Sequence, residues 1–151
     1  MKFAHTSVIA LDRDSLWEFL MDVTNVAECM FGVREFRQLG ENRYEGVLKV
    51  RMGPVNLNFN GIVTVAHRDR KNWRGELVAH AKDKKVGGGF SARLMMILEE
   101  EHAGATRLSI ELESTVLGKI GEFGQPIVRR RVERMLDDFS TELKARLTDD
   151  A

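Results

Sequence analysis

The chain lacks most of the features that mark a secreted, membrane-spanning or nucleic-acid-binding protein. It contains one cysteine, Cys29, so no disulfide can form within it, and we expect a reducing, cytoplasmic location. Its 23 basic and 23 acidic residues cancel, which argues against nucleic acid as a partner. No run approaches the roughly 18 apolar residues of a transmembrane helix, and residues 1–6 lack the apolar stretch of a signal peptide. Any membrane contact should therefore be peripheral, at the inner face.

Residues that bind metals or phosphates are present, but not in the required patterns. The four histidines are scattered without the short spacing of zinc sites, and Cys29 has no partner cysteine. Gly87-Gly88-Gly89 lacks the Lys-Ser/Thr that follows the glycines of a phosphate-binding loop. We therefore predict neither a metal nor a covalent cofactor. The stretch from Lys82 to Gly89 is interpreted as a mobile connection near the mouth of a cavity.

The order of the periodic segments predicts one α+β domain over residues 1–147, followed by a short polar end at 148–151. The first ten residues indicate a strand, a helix should start near Asp14, and Val23 to Met30 suggests a second short helix. Alternation from Arg34 to Val116 is typical of consecutive antiparallel strands. Helical spacing then indicates a long helix from about Glu122 to Leu147. We expect a curved antiparallel sheet of six to seven strands with this helix packed over it.

A cavity should lie between sheet and helix, because one helix cannot fill a strongly curved sheet unless large side chains occupy the space. Several residues on the inner faces are small: Gly46, Gly61, Gly75, Ala79, Ala81 and Ala92. The opposite interpretation is that the bulky inner residues pack together as an ordinary filled core. The predicted cavity residues are Tyr44, Leu48, Val50, Leu57, Phe59, Trp73, Leu77, Phe90, Leu94, Met96, Ile110, Val132, Met135, Leu136 and Phe139.

Few polar groups should face this cavity, so apolar contact would hold a ligand, at about 0.8 kcal/mol for each buried methylene. His5, Ser7 and Ser114 are the candidates for orienting it. A separate basic patch is predicted on the surface, where it could contact an anionic membrane or an acidic partner. Its residues are Lys119, Arg129, Arg130, Arg131 and Arg134. The alternative is a solvated helix face on which neighbouring acidic residues balance these charges.

A series of short segments follows the order and spacing of a known family. They are Leu16-Trp17, Cys29-Met30-Phe31-Gly32-Val33, Val50-Arg51-Met52-Gly53-Pro54-Val55 with Phe59-Asn60-Gly61, Gly88-Gly89-Phe90, Gly104-Ala105-Thr106-Arg107-Leu108, Gly118-Lys119-Ile120 and Phe139. Together they resemble the CoxG family of carbon monoxide dehydrogenase proteins, within the SRPBCC (START-like, helix-grip) superfamily. Asp12, Val23 and Phe31 stand where that family usually has proline, which affects turns and leaves the expected fold unchanged.

The resemblance implies a helix-grip fold and an accessory role to molybdenum-containing hydroxylases of the carbon monoxide dehydrogenase type, without catalysis. Many members of that family carry a long tail after the last helix, whereas this sequence ends at Ala151. We therefore expect a weak membrane contact at most.

The functional prediction is non-enzymatic binding of a lipophilic small molecule, such as an isoprenoid quinone or another lipid. Two alternatives stay open. One is an enzyme like the polyketide cyclases and dehydratases, using Tyr44 together with His5. The other is a protein-interaction or chaperone module whose cavity is filled by side chains. The sequence leaves the oligomeric state open.

Overall fold

Seven strands and three α-helices make up the computed structural model, which describes residues 1–148. The strands are β1 (Lys2–Ile9), β2 (Val33–Gly40), β3 (Arg43–Met52), β4 (Val55–Asp69), β5 (Arg74–Lys82), β6 (Gly88–His102) and β7 (Ala105–Gly118). They form one antiparallel sheet in the order β1-β7-β6-β5-β4-β3-β2. The helices are α1 (Arg13–Met21), α2 (Val23–Glu28) and α3 (Gln125–Thr148). The predicted α+β class and strand number are confirmed.

Two aspartates start the short helices that follow β1. Asp12 accepts a hydrogen bond from the backbone N–H of Ser15 at 3.0 Å, and Asp22 accepts one from the N–H of Thr24 at 3.1 Å. Such bonds satisfy N–H groups that have no partner within the helix. Because Asp22 both ends α1 and caps α2, the chain turns sharply between them. The second helix ends at Glu28, two residues before the predicted end.

The long helix begins later than predicted. Residues Lys119–Phe123 form a 3-10 helix, and Gly124 follows with φ +86°, a conformation that interrupts the regular helical path. Pro126 then occupies the first turn of α3, where its missing N–H costs nothing. The apolar stripe of α3 faces the sheet, and Val128, Leu136, Phe139 and Leu143 are buried along it. The predicted polar end lies outside the described residues, apart from Thr148.

Strand β2 has no clear signal in the sequence, because most of its side chains are exposed. Only Val33 and Phe36 point toward other residues, and both are half-buried. The register with β3 shifts twice, and Glu35 takes a positive φ of 52° at one of these irregularities. Bulges of this kind are common on edge strands, where they prevent pairing with another chain.

The sheet comes into very close contact with itself at a row of small residues. Gly46 on β3 pairs with Gly61 on β4, which pairs with Ala81 on β5. A Cβ on Gly61 would lie 2.7 Å from the Cβ of Ala81, and one on Gly46 would lie 2.9 Å from the ring of Phe36. Any larger residue would push the strands apart, so these glycines are required for the tight path of the sheet.

A buried carboxylate organises the turn between β5 and β6, which was predicted to be a mobile connection. Asp83 is 2% exposed and accepts hydrogen bonds from the backbone N–H groups of Asn58 at 2.7 Å and of Lys85 and Val86 at 2.8 Å. The bond from Val86 is the largest of the effects that hold the pKa of Asp83 below its ordinary value, and together these bonds outweigh the raising effect of burial. The turn is therefore tied to β4 by the same carboxylate that closes it.

We expect Asp83→Ala to lower the free energy of unfolding by about 1–3 kcal/mol, because three backbone N–H groups lose their acceptor. Since folding lowers the pKa of Asp83, its contribution is present above the unfolded pKa and is lost as the pH falls through the folded pKa. The loss should therefore be large at neutral pH and shrink in acid, as measured by urea unfolding. Lys84→Ala, in the exposed part of the same turn, is the control. An equal loss in both variants would contradict this account.

Candidate functional site

A cavity of about 290 Å³ lies between the concave face of the sheet and α3. Its wall includes residues of α2, of strands β2 to β7, of the 3-10 helix and of α3. Two groups of buried residues flank it: one contains Met96, Ile110 and Phe139, and the other contains Phe59 and Val128. The volume is close to the lower end of the range for small-molecule sites, roughly 300–1,000 Å³. The interior is therefore not completely filled by side chains.

Most of the predicted cavity residues lie on this wall. They are Leu48, Val50, Phe59, Leu77, Phe90, Leu94, Met96, Ile110, Val132, Met135, Leu136 and Phe139. The small residues Gly46, Gly61, Ala79, Ala81 and Ala92 lie there as well. Ala79 pairs with Ala92, which pairs with Ser114 on β7, so a row of small side chains crosses three strands. This row leaves the central space open.

Two of the predicted cavity residues are buried at other places in the interior. Tyr44 stacks on Phe36, with ring centroids 5.4 Å apart, in a separate small group with Val23 and Val65. Leu57 is 1% exposed and is part of the packed group near the 3-10 helix. Both were assigned correctly to the interior, but strand alternation alone does not say how far along a strand the open space extends.

Trp73 was placed in the wrong element. It lies in the turn before β5 with φ +57°, so its side chain does not follow the alternation of the strand. Its ring packs edge-on against Trp17 of α1 at 5.9 Å, and the guanidinium groups of Arg13 and Arg70 lie 4.0 and 3.6 Å from its centroid. Trp73 therefore holds α1 against the sheet. The predicted Gly75 likewise faces Met21 rather than the cavity.

Of the three predicted orienting groups, only Ser114 lies on the wall. His5 is between β1 and α3, where its Nε2 lies 3.0 Å from Oδ1 of Asp137. Nδ1 of His5 and Oγ of Ser7 are buried, without a hydrogen-bond partner among the described residues. Both side chains are therefore placed by β1, at the edge of the sheet, rather than at the cavity.

The sequence analysis missed the contribution of α2 and β2 to the wall. Val23, Val26, Ala27 and Met30 line the cavity from one face of α2 and its end, and Val33 and Phe36 line it from β2. The spacing of the first four residues is a helical signal that could have found them. Further wall residues are Val47, Met52, Ile62, Val63, His80, Leu112, Val116, Ile120, Val128 and Arg131.

The predicted basic patch is not one surface. Arg129 donates to the backbone oxygen of Lys2 at 3.3 Å, on the β1 side of α3, whereas Arg131 donates to the backbone oxygen of Arg51 at 3.3 Å, on the β3 side. Arg130 and Arg134 are exposed between these flanks, and Lys119 lies beside Gly87 of the β5–β6 turn. The five charges are thus distributed over different sides of the molecule.

The remaining titratable groups do not converge on a metal. Within residues 1–148 no three side chains of His, Cys, Asp or Glu come close enough to hold an ion. Cys29 is fully buried, and burial raises the pKa of its thiol. No helix in this part of the chain combines the length and the apolar character needed to cross a membrane.

Comparison with known proteins supports a single assignment. The model of the CoxG family, which is named after carbon monoxide dehydrogenase, matches residues 6–148. No curated protein is significantly similar in sequence. Among solved structures, a conserved protein from Geobacillus kaustophilus is similar with a TM-score of 0.88 and 17% identity, over 99% of this chain and 96% of that one. A START superfamily protein from Mycobacterium smegmatis is similar with a TM-score of 0.72 and 13% identity, over 99% of both chains.

An enzyme shares the same architecture. The Zhui aromatase/cyclase from Streptomyces sp. R1128 is similar with a TM-score of 0.67 and 16% identity, over 98% of this chain and 93% of that one. At such low identity these similarities concern the fold alone, and they confirm the START-like helix-grip architecture.

We expect Ala92→Leu to leave the free energy of unfolding nearly unchanged, because the added carbons enter space that is already open. The matched variant is Ala105→Leu, at a buried alanine outside the cavity wall, where overpacking should cost about 1–3 kcal/mol. Chemical denaturation of both variants measures the difference. Equal destabilisation of the two would mean that the interior near Ala92 is filled.

Proposed function

The chain belongs to the CoxG family of carbon monoxide dehydrogenase proteins, and on this basis we propose that it binds a lipophilic small molecule in its cavity without converting it. An isoprenoid quinone or another lipid with an apolar chain is the proposed ligand. The proposal includes no metal and no covalent cofactor.

The observation that carries this proposal is the apolar character of the cavity wall. Among the described wall residues, only His80, Ser114 and Arg131 have polar side chains. A ligand in this space would gain its binding free energy from apolar area, at about 0.8 kcal/mol for each buried methylene. One five-carbon isoprene unit would therefore contribute about 4 kcal/mol by the same measure. Chains of this kind fit the site better than small polar metabolites.

Binding is favoured over turnover by the positions of the two residues that a cyclase-like reaction would need. Tyr44 stacks on Phe36 near the β2 edge, while His5 contacts Asp137 from β1, at the opposite edge of the sheet. General acid–base catalysis requires such groups within hydrogen-bond reach of one substrate. The similar aromatase/cyclase makes an enzyme the second candidate. Product formation from a polyketide substrate by this chain would favour that candidate.

An accessory role to a molybdenum hydroxylase completes the proposal, and its support is the family to which the chain belongs. A hydroxylase that feeds electrons to a lipid-soluble acceptor needs that acceptor in water-accessible form. A cavity that shields the apolar tail of a quinone could supply it. Reduction of chain-bound quinone by such a hydroxylase and its substrate, faster than that of dispersed quinone, would support this role.

We expect the purified full chain to bind a short-chain isoprenoid quinone saturably, at one molecule per chain, in a dye-displacement titration. The double variant Ala79→Leu/Ala92→Leu should weaken binding at least tenfold, because its new side chains occupy the open space. Ala4→Leu/Ala145→Leu adds the same atoms at exposed positions and should bind like the original chain. Equal affinity in both double variants, or no saturable binding of quinone or other lipid, would overturn the proposal. Mass spectrometry of an organic extract identifies any ligand that copurifies.

We also propose a cytoplasmic location with weak peripheral membrane contact through the exposed cations Lys119, Arg130 and Arg134. Co-sedimentation with anionic vesicles at low salt should exceed that with neutral vesicles and decrease as salt is added. Replacing these three residues by glutamine should abolish the difference. Equal sedimentation with both kinds of vesicle would contradict the proposal.

A further inference from the structure

One charged side chain interrupts the apolar stripe of α3. Val128, Val132 and Met135 line the cavity at helical spacing, and Arg131 lies among them, three residues after the first and four before the last. Positions three and four apart share one face of a helix. Arg131 is therefore on the cavity side of α3, where the pattern otherwise requires an apolar residue. It is the only charged residue on the wall among the described residues.

The position of its guanidinium group is fixed by the end of β3. Pairing between β2 and β3 begins at Val33 and Leu48, so the carbonyl of Arg51 lies beyond the last partner on that side. Arg131 Nε donates to this carbonyl at 3.3 Å. The side chain is half-buried, and it forms part of the cavity wall. The charge thus lies where α3 and β3 meet, at the rim of the apolar space.

Most donors of this guanidinium are unused. An arginine has five N–H groups, and only the Nε bond to Arg51 is formed within residues 1–148. Half-buried arginine donors require acceptors, which solvent can supply at the rim. A ligand chain that fills the apolar space would bring its own end group to the same rim, where its acceptors would replace those of solvent.

We propose that Arg131 recognises the head group of the ligand, which is an apolar chain ending in a hydrogen-bond acceptor, with an anionic group such as a carboxylate preferred. This inference rests on the proposed function, because it assumes that the cavity holds an apolar chain. The two Nη groups match the two oxygens of a carboxylate, as arginine commonly does. Arg131 is thereby a specificity-determining residue, and the other wall residues contribute apolar area.

The test compares ligands that differ only in the head group. Nile red, a neutral dye, is bound first, and dodecanoate or dodecanol is then used to displace it at neutral pH. We expect the original chain to bind dodecanoate about tenfold more tightly than dodecanol, the size of a charge-assisted hydrogen bond. Arg131→Gln should remove most of this preference while the affinity for Nile red is kept. Arg131→Lys should keep part of it, since the charge remains without the planar fork.

Arg130→Gln is the matched control, because it removes the same charge from the adjacent, exposed position. It should keep the full preference for dodecanoate. The inference is overturned if Arg131→Gln keeps the preference, or if Arg130→Gln loses as much of it. Failure of the proposed function would look different: neither Nile red nor either dodecyl compound would bind the original chain saturably. Dodecyl phosphate, run in parallel, should also be preferred over dodecanol, and indifference to both anionic heads would contradict the inference.

Discussion

The structure depends on a mismatch of volume between a strongly curled sheet and the one helix that covers it. Close packing normally leaves few voids larger than a water molecule, yet here about 290 Å³ stays open. The small residues at Gly46, Gly61, Ala79 and Ala92 both permit the tight path of the strands and leave their inner side without bulk. The same residues therefore produce the curvature and the cavity.

A helix over an open space must be held at its sides, and polar contacts do this on both flanks of α3. On the β1 side, Arg129 donates to the carbonyl of Lys2 and His5 contacts Asp137. On the other side, Arg131 donates to the carbonyl of Arg51, and Arg146 contacts Glu28 at the end of α2, at 3.1 Å. The apolar stripe of the helix is thus free to contact a ligand as well as the sheet.

Much of this arrangement could be predicted from the sequence, because period-two and helical patterns report which face of an element is buried. Strand alternation correctly placed Phe59, Leu94 and Met96 on the inner face. It failed at Trp73, because a positive φ in the turn redirects the side chain, and at β2, because an exposed edge strand has no apolar alternation. The position of Arg131 was hidden for a different reason: composition identifies a basic run, but only the fold shows which flank each charge occupies.

The most direct test of the central claim is a crystal structure of the chain pressurised with xenon, which enters apolar cavities that water leaves empty. The account predicts xenon between the sheet and α3, bounded by Phe59, Met96 and Phe139. An interior without xenon, with these side chains packed against one another, would contradict it.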